Sequence, residues 1–156
     1  MKKLWYKWDD MRRDVNTLCR EIALDKFDPQ VIVGLSRGGL TPGVMMSHWF
    51  QKPFKPIRTS LRDFPEWEDY LPRKTDERVL IVDDICDSGE TFNKIKNYIK
   101  GPKLNYPMEL PTEVRFAALW WNNECDFEPH YYVCLLYTSD AADEGLGVDL
   151  GGRRII

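Results

Sequence analysis

Three carboxylates and three small polar residues fall within one short stretch: Asp83, Asp84, Asp87, Ser88, Gly89 and Thr91. An ionised carboxylate only accepts hydrogen bonds, so adjacent Asp83 and Asp84 suit sugar hydroxyls or a hydrated Mg2+ rather than an anion. The residues that follow suit the opposite charge. If they open a helix, its unsatisfied N–H groups and positive dipole end face whatever binds there, and the hydroxyls of Ser88 and Thr91 add donors. That is chemistry for a phosphate monoester. Taken singly, the Asp pair fits a solvated loop, and Asp87 or Ser88 fits a helix N-cap. Standing together directly after an apolar run, they favour a ligand site. A second stretch, Ser36, Arg37, Gly38 and Gly39, also suits an anion. Glycines permit unusual backbone angles and close approach of N–H groups, and an arginine grips phosphate oxygens in bidentate fashion.

Both stretches need elements that deliver them to one place. Val79, Leu80, Ile81 and Val82 form the strongest strand signal, with residues 83–88 at its C-terminal end. Helical character follows over residues 89–100, with Phe92, Ile95 and Ile99 on one side. The run at residues 30–33 reads as a buried strand leading into the glycine stretch, and an apolar helix follows at about 41–50. Met11, Val15, Leu18, Cys19 and Ile22 recur at helical spacing, with Asp9 or Asp10 placed to cap the first turn. Further strands are predicted at residues 55–60, 113–121 and 130–136. Residues 61–77 are polar, aromatic and aperiodic, and predict a long mobile loop. The fold class is therefore α/β: a parallel twisted sheet with flanking helices, whose ligands bind beyond the carboxyl ends of the strands.

Composition narrows the function. The chain has 156 residues, 43% hydrophobic, with a net charge of −3. That is enough apolar material for one core, with no basic field to hold nucleic acid. The apolar runs are strand-length, so no membrane span is expected. Cys19, Cys86, Cys125 and Cys134 lack metal-ligand spacing, and reduced thiols in a cytoplasmic protein are expected.

Residues 79–92 resemble the phosphoribosyl-pyrophosphate (PRPP) motif of type I phosphoribosyltransferases, with Cys86 where the family usually has an aliphatic residue. Residues 31–43 resemble that family's pyrophosphate loop, most closely in the bacterial and phage hypoxanthine/xanthine–guanine branch. The resemblance implies transfer of ribose 5-phosphate from PRPP to a nitrogen base of purine type, with Mg2+ bound and pyrophosphate released. By position, Asp83 and Asp84 would hold the ribose hydroxyls, Asp84 also touching Mg2+ through water. Asp87 would be the general base. Ser88, Gly89, Glu90 and Thr91 would bind the 5-phosphate, and Ser36, Arg37 and Gly38 the pyrophosphate. Residues 59–63 would form the catalytic lid, with Arg62, Arg73 or Lys74 reaching pyrophosphate and Trp67 and Tyr70 packing the lid. The resemblance also implies a homo-oligomer, and leaves His48 and His130 structural roles.

The pattern departs from the family in two places. A strand ending at Trp121 leads in the 6-oxopurine branch to a lysine that donates to the purine's exocyclic oxygen, and Asn122 stands there instead. Trp120 or Trp121 could stack on a base, though alternation on a strand puts at least one of them in the core. Residues 134–156 resemble the in-frame translation of a sequencing-library adapter. The expected organisation is a phosphoribosyltransferase domain over residues 1–133 and a non-native tail over 134–156, with the base-covering end missing. The alternatives are a phosphoribosyltransferase for another base, and a PRPP-sensing regulator on the same fold. The retained Asp87 and the lack of a basic excess favour the enzyme.

Overall fold

The computed structural model describes residues 3–58, 78–100, 113–136, 147–150 and 153–155. The expected lid, with Arg62, Trp67, Tyr70, Arg73 and Lys74, lies outside the described residues, as does most of the expected tail.

In chain order the elements are β1 (Lys3–Tyr6), α1 (Trp8–Leu24), β2 (Val31–Ser36), α2 (Leu40–Phe50), β3 (Phe54–Arg58), β4 (Arg78–Cys86) and α3 (Glu90–Lys100). They continue with β5 (Glu113–Asn122), β6 (Tyr131–Leu136), β7 (Gly147–Leu150) and β8 (Arg153–Ile155). A five-stranded sheet runs in the order β3-β2-β4-β5-β6, parallel throughout. From β2 the chain moves outward to β3, then returns past β2 to β4 and moves outward the other way. Right-handed crossovers in opposite directions put helices on opposite faces. Met11, Val15, Leu18, Cys19 and Ile22 of α1 and Met46 of α2 pack with Leu80, Val82, Ala117 and Leu119 on one face. Phe92 and Ile95 of α3 pack with Val33, Ile81, Phe116 and Ala118 on the other. Covered on both sides, β2 and β4 are apolar at successive positions rather than alternate ones. The expected α/β class is the one observed.

Three boundaries differ from expectation for identifiable reasons. The strand read as residues 78–82 continues through Cys86, because β5 is long enough to pair Ile85 with Trp120 and Cys86 with Trp121. Helix α1 is capped at Lys7, whose N–H donates to Asp10 Oδ2 at 2.9 Å. Asp10 thus closes the first turn from the third helical position, reaching back to the N–H of the residue before the helix. Strand β1 was not anticipated: it is four residues long, and its partner β7, which pairs in turn with β8, lies at the far end of the sequence. No helix among the described residues is long and apolar enough to cross a membrane, and all four cysteines are free thiols.

Candidate active site

The sheet order reverses between β2 and β4, and at such a point the two outgoing loops diverge and leave a crevice beyond the strand ends. The loop of residues 37–39 leaves β2 there, and Asp83 and Asp84 approach the same edge on β4.

The Asp pair interrupts the pleat. Leu80 and Val82 pack toward α1 and α2, yet three residues later the phase has changed: Ile85 packs on that face and Cys86 on the α3 face. The neighbouring strand shifts with it, since Leu119 and Trp120 both pack toward α1 and Tyr6. The register survives, with Asp83 beside Ala118 and Ile85 beside Trp120. Inside the shift the backbone donors turn to side chains: Asp84 N–H donates to Asp83 Oδ1 at 2.9 Å, and Ile85 N–H to Asp84 Oδ1 at 2.8 Å. Local carboxylate bonds offer the chain an alternative to the ladder, which is how a strand carries two adjacent charges to a sheet edge.

The two loops touch through a glycine. A Cβ on Gly38 would lie 2.3 Å from Asp84 Cγ, so the backbone of the first loop rests directly on the buried Asp84 carboxylate. A Cβ on Gly39 would lie 2.2 Å from the Val82 carbonyl oxygen and 2.7 Å from Leu35 N. Both glycines therefore serve close approach. The unusual backbone angle expected of them is found instead at Gly89, with φ 73°. Gly39 has φ −80°, ordinary for any residue. Arg37 is exposed at the mouth, Ser36 is half-buried, and the peptide between them is cis.

The second loop opens α3 as its residue types require. Ser88 Oγ accepts the Glu90 N–H at 3.3 Å, so the serine caps the helix and keeps its own O–H to donate. The Glu90 carboxylate is held aside by Lys94 at 2.8 Å, leaving its main chain on the helix end. Thr91 is half-buried one residue further in, and Asp87 is exposed. Gly89 sits against the turn after β5, where a Cβ would lie 2.7 Å from Phe127 Cβ and 3.3 Å from Cys125 Sγ.

That turn supports the site in a way the sequence reading missed. Cys86 and Cys125 face each other at 3.9 Å, and burial followed by the neighbouring Cys125 pushes the Cys86 thiol well above its ordinary range. Asn122 is buried, its Nδ2 donating to Asp87 Oδ1 at 3.1 Å and its Oδ1 accepting the Glu124 N–H at 3.0 Å. Local spacing carries no signal for either pair, since the partners lie 39 and 35 positions apart. Of the two tryptophans, Trp120 is core and packs edge-on against Tyr6 at 5.6 Å. Trp121 is half-buried, its indole N–H donating to the Phe127 carbonyl at 2.7 Å. His130 stands away from the crevice, its Nδ1 accepting the Phe116 N–H at 3.0 Å. A buried Asp14 on α1, bonded by Tyr6 at 2.5 Å and Arg13 at 3.1 Å, belongs to the core beneath β1.

The arrangement thus places carboxylates, a glycine–arginine loop and a capped helix N-terminus around one crevice. The comparisons agree in kind. A profile of the phosphoribosyl transferase domain matches residues 6–149. A xanthine-guanine phosphoribosyltransferase of Vibrio parahaemolyticus is 31% identical over 111 residues, covering 66% of this chain and 70% of that protein. The crystal structure of a purine phosphoribosyltransferase from Pyrococcus horikoshii superposes with a TM-score of 0.69 at 27% identity, over 87% of this chain and 89% of that one. A xanthine-guanine-hypoxanthine phosphoribosyltransferase of Helicobacter pylori shares the fold, with a TM-score of 0.66 at 16% identity over 92% of this chain and 97% of that one.

Proposed function

This chain belongs to the phosphoribosyl transferase family, and from that premise we propose that it transfers ribose 5-phosphate from PRPP to a purine-type base in nucleotide salvage. The observation that carries the reading is the seating of Gly38 on Asp84, which joins an anion loop and a hydroxyl-binding pair at the sheet's switch point. Ser36, Arg37 and Gly38 take the pyrophosphate group, and the N–H groups and hydroxyls of Ser88, Gly89, Glu90 and Thr91 take the 5-phosphate. Asp83 and Asp84 accept the ribose hydroxyls. Asp87 accepts the proton from the attacking base nitrogen. The leaving pyrophosphate carries the developing charge, so donors fixed in advance lower the barrier more than any nucleophile would.

Mg2+ suits this donor set. Among the described residues no group of three or more His, Cys, Asp or Glu side chains converges on one point. A carboxylate pair without a full cage fits a hard cation that keeps most of its water and binds substrate oxygens. Asp84 would hold it through water, and the ion would supply positive charge to a pyrophosphate leaving group. The purine acceptor is supported by the relatives, named for xanthine, guanine and purines. Free thiols support a reducing cytoplasm, and the exposed Trp8, Val44 and Trp49 support a homo-oligomer.

The test is to incubate the protein with PRPP, Mg2+ and each of hypoxanthine, guanine, xanthine and adenine, and to measure pyrophosphate release and nucleotide mass. Product should form with at least one base, vanish on chelation, and be lost in Asp87→Asn. PRPP binding without transfer to any base, unaltered by Asp87→Asn, would instead mark a PRPP-sensing regulator.

A further inference from the structure

Asn122 ends β5 where the resemblance places a lysine that reads the base, but its side chain is committed elsewhere. Its Oδ1 accepts the Glu124 N–H at 3.0 Å. An amide oxygen cannot donate, and a backbone N–H cannot accept, so this contact fixes which way the amide faces. Nδ2 then lies on the opposite side and donates to Asp87 Oδ1 at 3.1 Å. The frame behind it is held too: Cys125 N–H donates to the Asn122 carbonyl at 3.1 Å, and the Trp121 indole to the Phe127 carbonyl at 2.7 Å. Asn122 is buried while Asp87 is exposed at the crevice.

We propose that Asn122 is a positioning residue for Asp87: its neutral amide fixes the carboxylate through Oδ1, leaves Oδ2 for the base nitrogen, and does not itself read the base's exocyclic atom. This rests on the phosphoribosyl transfer reading. A lysine here would set a cation against Asp87, whereas an amide orients the carboxylate without neutralising it. A donor on one carboxylate oxygen fixes the orientation of the group, so its removal frees the carboxylate to turn.

The experiment compares the full chain with Asn122→Leu and Asn122→Asp by steady-state kinetics with the accepted base, and by the 13C NMR signal of the Asp87 carboxyl without substrate at one fixed pH. Asn122→Leu should lower kcat about 10- to 100-fold with the KM for PRPP held within about twofold, because only a group already beside the reaction is displaced. The Asp87 carboxyl signal should move in Asn122→Leu and in Asn122→Asp, because the amide donor at its Oδ1 is gone in both. A parental kcat in Asn122→Leu with a raised KM for the base alone would show that residue 122 reads the base, and would overturn the proposal. So would an unmoved Asp87 carboxyl signal. If Asn122→Leu fails to fold by circular dichroism, the nearly isosteric Asn122→Asp carries the same comparison. A parent that transfers to no purine sinks the functional reading instead, and the carboxyl signal still decides whether Asn122 holds Asp87.

Discussion

Adding one methyl group at Gly38 and the same group at Gly39 should damage different properties of the protein. In Gly38→Ala the new Cβ starts 2.3 Å from Asp84 Cγ, and carbon atoms settle at about 3.5–4.0 Å, so loop or carboxylate must move by more than about 1 Å. The obstacle is a side chain beside a half-exposed loop, so the fold can adjust at a cost of about 1–2 kcal/mol. The site cannot adjust: Asp84 leaves the place set by its 2.8 Å bond from Ile85 N–H, and a 1 Å misplacement costs about 100-fold in a preorganised site. In Gly39→Ala the obstacles are backbone atoms, Val82 O at 2.2 Å and Leu35 N at 2.7 Å. Neither can swing aside, and about 3 kcal/mol of stability is lost, or roughly 10 °C in Tm at about 2–4 °C per kcal/mol for a chain of this size. Calorimetric titration with PRPP and Mg2+ and thermal melts on the same samples separate the two effects. Gly38→Ala should melt within about 5 °C of the parent and bind PRPP at least 100-fold more weakly. Asp84→Gly removes the obstacle, so Gly38→Ala should then add little further loss of stability. A Gly38→Ala chain that binds PRPP within threefold of the parent would refute the seating of the loop on Asp84, and the functional reading with it.

Gly89→Ala combines a left-handed φ of 73° with a Cβ 2.7 Å from Phe127 Cβ. It should cost about 1–3 kcal/mol in denaturant unfolding and abolish PRPP binding, and a loss of stability alone would detach this turn from the phosphate site. Burial of its ring, then Arg115 and Lys96, hold His130 below its ordinary pKa, and protonation at Nδ1 would break its bond from Phe116 N–H. The unfolded chain then binds the extra proton more readily. The contribution of His130 is therefore complete above about pH 6.5 and is lost as pH falls through the folded-state value. Tm should drop across that window in the parent and less steeply in His130→Gln. In the folded protein at pH 8, a disulfide reagent should label half-buried Cys125 first. Burial pushes Cys19 up to about 12 and Cys134 up to about 11 and keeps both slow. Labelling of Cys19 as fast as Cys125 would contradict the packing of α1.

Much of this protein is legible along the chain because its signals are local. A buried parallel strand needs an unbroken apolar run, and Val79, Leu80, Ile81 and Val82 supply one. A helix covering one face needs apolar residues at helical spacing, and Met11, Val15, Leu18 and Ile22 supply those. A turn that opens a helix needs small polar residues, and Ser88, Gly89 and Thr91 supply them at the start of α3. The α/β class, the two loops and their residue types follow from such runs, each set by backbone geometry over a few neighbouring positions.

Contacts between distant positions were decided by the tertiary structure. Nothing near Asp83 and Asp84 announces that the pleat changes phase there, because the shift is sustained by β5 shifting beside it. Nothing near Gly38 says that its missing Cβ makes room for Asp84 rather than for a turn. Asn122 looks like a lost base reader until its amide is seen between Glu124 and Asp87. Strand β1 exists by pairing with β7, at the other end of the chain. The sequence by itself determined which groups could accept hydrogen bonds and which could face an anion, because side-chain chemistry travels with the residue. The fold alone decided which of them meet, because distance in space is set by how the strands are ordered and not by how the residues are numbered.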